Sequence, residues 1–295
     1  MPQQIFFYLM KLPSFAMRFE FPKGIAVDAS GYVYVADDAK HRIQKSDTNG
    51  NFRKEWGEEG SDKAEFKFPK GVAVDASGYL YVADDGNCRV QKFDTNGNFI
   101  SEWGRKGSDK AEFKFPKGVA VDASGFVYVT DDENHRVQKF DTNGNFISEW
   151  GSEGSRVGQL KHPYGIAVGS AGYVYIADDA NHRVQKFDTN GNFISEWGRK
   201  GSDKAEFKFP KGVAVDDLGH LYVADDGNCR VQKFDTNGNF ISEWGRKGSD
   251  KAEFKFPKGV AVDASGFVYV TDDENHRVQK FDTNGNFISE WGKRD

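Results

Sequence analysis

Sulfur is scarce in this chain: 295 residues contain two cysteines and three methionines. Cys88 and Cys229 hold the same place in two repeating units three apart, which face each other across any six-unit ring. Disulfide geometry needs Cα atoms within about 7 Å, so the pair is expected to stay reduced, and it does not report on compartment. Long apolar runs are missing as well, none approaching the roughly 20 residues of a membrane span. The first ten residues are apolar in part. They have no basic residue ahead of that run and no small-residue cleavage pattern, so they read poorly as a signal peptide. A strong charge excess is also lacking: 45 acids stand against 40 bases, which argues against a phosphate-gripping protein. No helical period appears. The chain contains no Gly-x-Ser-x-Gly, no phosphate-binding Gly-Lys loop, no His-Glu-x-x-His, no Cys-x-x-Cys and no Asn-x-Ser/Thr acceptor.

What the chain does have is one 47-residue pattern written six times. Trp occurs only at 56, 103, 150, 197, 244 and 291, and Pro22, Pro69, Pro116, Pro163, Pro210 and Pro257 keep the same interval. A strict period between about 20 and 50 residues marks a repeat architecture. Within residues 68–103, Gly71 to Asp75 is a short apolar run expected to be buried on both faces. Tyr79 to Ala83 is a second β-rich run, and Arg89 to Phe93 alternates polar and apolar, reading as a half-exposed strand. Asn96-Gly97 predicts a type I′ hairpin turn into Phe99 to Trp103. Four antiparallel strands per unit, growing more polar outward, predict an all-β six-bladed β-propeller, an architecture of about four to eight blades. The expected blades are about 14–57, 58–104, 105–151, 152–198, 199–245 and 246–292, with 1–13 as an N-terminal tail. Shifted by one period, Ile5 to Leu9 falls on Phe52 to Trp56, so the tail is in phase with an outermost strand. In-phase closure is expected, with the tail packed elsewhere or pairing between chains.

The segment GIAVDxxGYVYVADDxNHRVQKFDxNGNF resembles the NHL repeat. The Asn-His step stands at Asn134-His135, Asn181-His182 and Asn275-His276; Lys40-His41 is a partial copy, and Asn87-Cys88 and Asn228-Cys229 depart from it. The resemblance covers residues 14 to 292 and implies a six-bladed propeller. It also implies several function classes: protein-binding platforms, single-stranded RNA binders with a basic face, and related lyases and lactonases that use a channel metal and His. WD-repeat propellers are excluded by the missing Gly-His and Trp-Asp steps.

Each candidate for chemistry has a structural reading beside it. The position held by His41, Cys88, His135, His182, Cys229 and His276 cannot converge on one metal, since zinc ligands must lie about 2.0–2.3 Å from a point. The Asp-Thr-Asn-Gly-Asn segments match the start of a calcium loop only in part, with Phe52 where Gly belongs and Arg105 where Glu belongs, so the hairpin reading wins. Paired acids such as Asp84-Asp85 are expected to tie loops to backbone donors, or less readily to form an acidic collar that holds a cation. Lys23, Lys70, Lys117, Lys211 and Lys258, with Tyr164 in the sixth place, are expected to ring one channel mouth beside those acids. Such a ring is a candidate anion-collecting site, although ion pairing within the rim is favoured.

Symmetry breaks in few places. Residues 60–151 and 201–292 differ only at Ala76/Asp217, Ser77/Leu218 and Tyr79/His220. That uniformity points to recent amplification or deliberate construction. Blade four departs most, with His162 replacing a Phe and Tyr164 replacing a rim Lys. The candidate binding residues are therefore Lys23, Lys70, Lys117, Tyr164, Lys211, Lys258 and His162, with no catalytic residue, no metal and no cofactor expected. The favoured function is a non-enzymatic interaction scaffold for an unknown protein or peptide ligand. Single-stranded RNA binding and a lyase-type enzyme with a channel metal are the alternatives. The expected assembly is a monomer or a strand-swapped dimer, and compartment stays open.

Overall fold

The computed structural model describes residues 17–292, so the expected tail at 1–13 lies outside the described residues. Six four-stranded sheets follow one another, each made of consecutive strands in the order first to fourth. In blade two the strands are Pro69–Val74, Leu80–Asp84, Arg89–Phe93 and Phe99–Trp103, all paired antiparallel. The first strands of all blades converge around an axis and enclose a narrow channel cavity of about 60 Å³. They approach so closely that a Cβ on Gly71 would collide with the Lys117 carbonyl of the next blade. Only glycine fits there.

The core lies between blades rather than inside them. Tyr81, Val90 and Trp103 of blade two pack on Val119, Val127, Val129 and Phe140 of blade three, with Phe113 wedged alongside. Each Trp ring also covers the Gly of the next blade's last turn, Trp56 over Gly97 and Trp103 over Gly144. A sheet four strands wide cannot bury both faces alone, so each blade depends on its neighbours.

Two expectations need correction. The third strand is not half-exposed: every residue of Arg89–Phe93 is buried. Its polar positions face the interior because each has a partner. Gln91, for example, donates to the Glu65 carbonyl at 2.7 Å and accepts from the Ala64 N–H at 3.0 Å. Nor is the last turn type I′. Gly97 alone has a positive φ, 75°, while Asn96 does not, and Gly97 N–H bonds the Asp94 carbonyl at 3.0 Å. The Asp94 carboxylate accepts the N–H groups of Asn96 and Asn98 at 2.8 Å, holding a type I turn that ends in a left-handed glycine.

Closure is in phase. Blade six is completed by its own Phe287–Trp291, and no strand is exchanged with blade one among the described residues. The Phe19 N–H bonds the Gly292 carbonyl at 3.3 Å, and Trp291 covers Gly50 as other Trp rings cover their glycines. The Thr271 hydroxyl donates to the Lys23 carbonyl at 2.7 Å and accepts from Gly259 N–H. The sixth-to-first boundary thus repeats the bonded boundaries with no peptide link across it.

Candidate functional site

The start of the first strand carries the rim lysine in five blades and Tyr164 in the fourth, and each second strand ends on the first Asp of the pair. Strand register puts both at the same end of the channel, since Pro69 pairs with Asp84. The candidate residues are therefore gathered around one mouth. The Lys23, Lys70, Lys117, Tyr164 and Lys258 side chains line the channel, and the Lys211 ammonium sits 4.5 Å from the centre of the Tyr164 ring.

These lysines are engaged. Each pairs with the second Asp of the preceding blade: Lys70 with Asp38 at 2.8 Å, Lys117 with Asp85 at 2.8 Å, Lys211 with Asp179 at 2.5 Å and Lys258 with Asp226 at 2.9 Å. Lys23 completes the circuit on Asp273 at 2.7 Å. Burial lowers the pKa of Lys23 against the pull of Asp273, and burial raises that of Asp85 against the pull of Lys117. At such depth one partner without the other is a costly buried charge. The ring works as a set of blade-to-blade clasps.

Blade four modifies this circuit. Tyr164 offers Asp132 no cation; Lys117 Nζ stays 3.8 Å from Asp132 Oδ2, and the His162 ring closes on the other oxygen, its Nδ1 lying 3.0 Å from Oδ1. His162 also stacks edge-on against His135 with ring centres 4.8 Å apart. The Tyr164 hydroxyl titrates well above its ordinary range, because burial disfavours the phenolate and the carboxylates of Asp38, Asp273, Asp85 and Asp226 reinforce it. Those acids belong to blades one, six, two and five, and Tyr164 lines the channel those blades enclose.

The other repeated polar residues are also joints. Asp84 is wholly buried and accepts from Lys67 N–H at 2.7 Å, Arg89 Nε at 2.8 Å, Asn87 Nδ2 at 2.9 Å and Gln91 Nε2 at 3.2 Å. Arg89 uses all five of its donors, on Asp84, Glu102 and the carbonyls of Ser61, Asp62 and Glu65. Sequence reasoning misses this hub, although Arg42, Arg89, Arg136, Arg183, Arg230 and Arg277 keep the 47-residue interval that signals it. In the NHL position, Nδ1 of His41 accepts the Phe68 N–H of the next blade at 3.1 Å, and His182 does the same for Phe209. An imidazole used this way is spread around the ring and bound into each boundary, as the sequence suggests. No group of three or more potential metal ligands occurs among the described residues.

Outside the ion pairs lies a crown of rings, some of them packed on the NHL-position histidines, as Phe68 is on His41 with ring centres 4.7 Å apart. Phe21, Phe68, Phe115, Phe209 and Phe256, with His162 in the sixth place, all have φ between 52° and 62°. Left-handed backbone at a bulky residue costs of order 1–3 kcal/mol and persists only where the surroundings enforce it. Phe68 is nevertheless 41% exposed. Lys67, Lys208 and Lys255 precede their Phe neighbours in the chain.

The NHL repeat model matches residues 19–45, 66–93, 113–140, 160–187, 207–234 and 254–281. No curated protein matches the chain. Among solved structures, a protein of unknown function from Bacteroides thetaiotaomicron superposes with TM-score 0.73 at 19% identity, covering 89% of this chain and 69% of that one. A streptogramin B lyase gives 0.66 at 16% identity over 95% of this chain and 85% of its own. A gluconolactonase from Xanthomonas campestris gives 0.65 at 16% identity, covering 88% and 85%. At such identities the likeness is one of fold.

Proposed function

This chain belongs to the NHL repeat family, and we propose that it acts as a non-enzymatic interaction scaffold whose mouth-side crown docks a protein or peptide ligand. The observation that carries this reading is the division of labour at the mouth. Rim lysines, paired acids and NHL-position histidines are consumed in joining blades, whereas the Phe crown is held in a strained backbone and remains partly exposed. Exposed aromatic rings around a concave mouth are the surface type from which interface anchors are drawn.

Single-stranded RNA is the second reading, favoured by one feature. Lys67-Phe68, Lys208-Phe209 and Lys255-Phe256 interleave cations with stacking rings on one face. Against it stand the paired acids just inside the crown. A lyase-type mechanism would need convergent acid, base or metal ligands in the channel, and first strands such as Pro69–Val74 deliver Lys, Gly and aliphatic groups there.

One experiment separates the three. EDTA-treated protein is screened by thermal shift against divalent metals and a labelled oligouridylate, and a displayed peptide library is selected on the same protein. Peptides that bind, and that lose about tenfold in affinity to an F68S/F209S/F256S variant of unchanged melting behaviour, are the expected result. A salt-sensitive shift with oligouridylate and no crown-dependent peptide would replace the scaffold reading with the RNA one. A metal-dependent shift would favour the enzyme.

A further inference from the structure

The opposite end of the propeller carries grooves between neighbouring blades, formed by the turns after the first and third strands. Between blades two and three a cavity of about 280 Å³ is lined by Asp75, Ser77, Tyr79, Lys92, Ser124 and Thr142, among others. A smaller one of about 160 Å³ repeats between blades one and two, with Asp28, Ser30, Tyr32, Lys45, Ser77 and Thr95. Ligand docking at the mouth uses neither.

The larger groove keeps hydrogen-bonding capacity in both senses. The Lys92 ammonium donates to the Thr142 carbonyl at 3.1 Å and lies 4.6 and 5.1 Å from the Tyr79 and Tyr81 ring centres. Ammonium has three donors, so donors remain after that single bond. The Asp75 carboxylate accepts Ser77 and Tyr79 N–H at 2.9 Å and the Tyr81 hydroxyl at 3.1 Å, leaving a lone pair on Oδ2 free. The hydroxyls of Ser77 and Ser124 have no partner among the described residues, and Tyr79 is 37% exposed.

We infer that these inter-blade grooves bind neutral sugars, with a pyranose ring against Tyr79 and its hydroxyls on Lys92, Ser77 and the Asp75 carboxylate. Three ligand classes compete for such a lining. A polyanion would meet the carboxylates of Asp75 and Asp122 as well as the one lysine. An apolar ligand would strip water from the lysine and the serine hydroxyls without replacing its hydrogen bonds. A neutral polyol both donates and accepts at each hydroxyl, and its C–H face suits an aromatic wall. Two such grooves side by side also favour a multivalent display of the same sugar.

The molecule contains its own comparison. The two 92-residue units 60–151 and 201–292 differ at three positions, and all three fall on this turn. In blade five, Leu218 stands where Ser77 is and His220 where Tyr79 is. Leu218 is 78% exposed, and His220 Nδ1 turns back to Asp216 at 3.0 Å. Lys233 stacks on Tyr222 alone, at 5.1 Å. The groove lining is therefore present in one unit and altered in the other on an otherwise identical background.

The test is retention of the full chain on beads bearing glucose, galactose, mannose or N-acetylglucosamine, with elution by the free monosaccharide. Wild type is expected to be retained on at least one bead and released by its sugar. S77L/Y79H, which installs residues that blade five already accommodates, should keep the melting temperature and weaken binding about tenfold. The reverse change, L218S/H220Y, should strengthen retention. The inference is overturned if no bead retains the wild type, if S77L/Y79H is retained unchanged, or if salt rather than free sugar causes release.

Discussion

The two ends of this propeller use similar residues to different effect. At the mouth, Lys70 lies 2.8 Å from Asp38, and the same clasp links four more boundaries. At the far end, Lys92 lies over two tyrosine rings with a single carbonyl partner, beside serine hydroxyls that bond nothing among the described residues. A conspicuous ring of charge is thus the more fully paired of the two surfaces, whereas Lys92, although buried, has no carboxylate partner among the described residues. In a repeat protein the most regular polar residues are the ones each blade needs to hold its neighbour, and binding capacity lies where that demand ends.

The sharpest way to test this contrast is to remove one acceptor from each end. Asp84→Ala would leave Arg89, Asn87, Gln91 and the Lys67 N–H without their buried carboxylate, and should cost about 3–5 kcal/mol in urea unfolding. Ser77→Ala at the groove should stay within about 0.5 kcal/mol. A smaller loss than that of Asp84→Ala is expected at ring closure. Thr271→Ala removes the hydroxyl bonds to Lys23 and Gly259 and should cost about 1–2 kcal/mol by the same assay, although blades one, two, four and five carry Ala36, Ala83, Ala177 and Ala224 at this position.

Cys88→His should act in the opposite direction. Cys88 sits in left-handed backbone where His41 and His182 stand in other blades, and an imidazole there would accept the Phe115 N–H of blade three. A gain of about 1 kcal/mol, read as a higher melting temperature, is expected. The smallest effect is a pH dependence. Burial, aided by Lys200, holds the His182 imidazole below its ordinary pKa, so the folded chain disfavours the charged ring. The stability it supports is complete above pH of about 6.5 and declines as pH falls below that value. The melting temperature of His182→Cys should therefore drop less between pH 7 and pH 5 than that of the wild type.

Much of the fold is legible in the sequence because Trp, Pro and Gly recur at an interval that only a blade-by-blade ring satisfies. Trp56 must cover Gly97, and Gly71 must meet Lys117, so spacing and packing are one constraint. The third strand is harder to read. In Arg89–Phe93, alternation of polar and apolar residues normally signals exposure, but here Arg89 and Gln91 are buried against the loop that precedes the blade, and Lys92 reaches the Thr142 carbonyl of the next blade. A sequence does not display that loop as a partner. The turn type misleads for a similar reason: Asn96-Gly97 suits type I′, and the Asp94 carboxylate two residues earlier selects another turn. Strand order alone is enough to gather the mouth residues at one end. Their pairing partner, an Asp one blade back and 32 residues earlier, depends on the ring itself.

The central claim is that the mouth lysines are clasps between blades, and a double-mutant cycle on Lys70 and Asp38 tests it most directly. Urea unfolding of K70M, D38N and the double variant should show each single change destabilising, the double change recovering part of the loss, and a coupling of about 1–3 kcal/mol. Additive losses, with a coupling within about 0.5 kcal/mol of zero, would contradict the account and return the lysines to the role of free ligand-collecting cations.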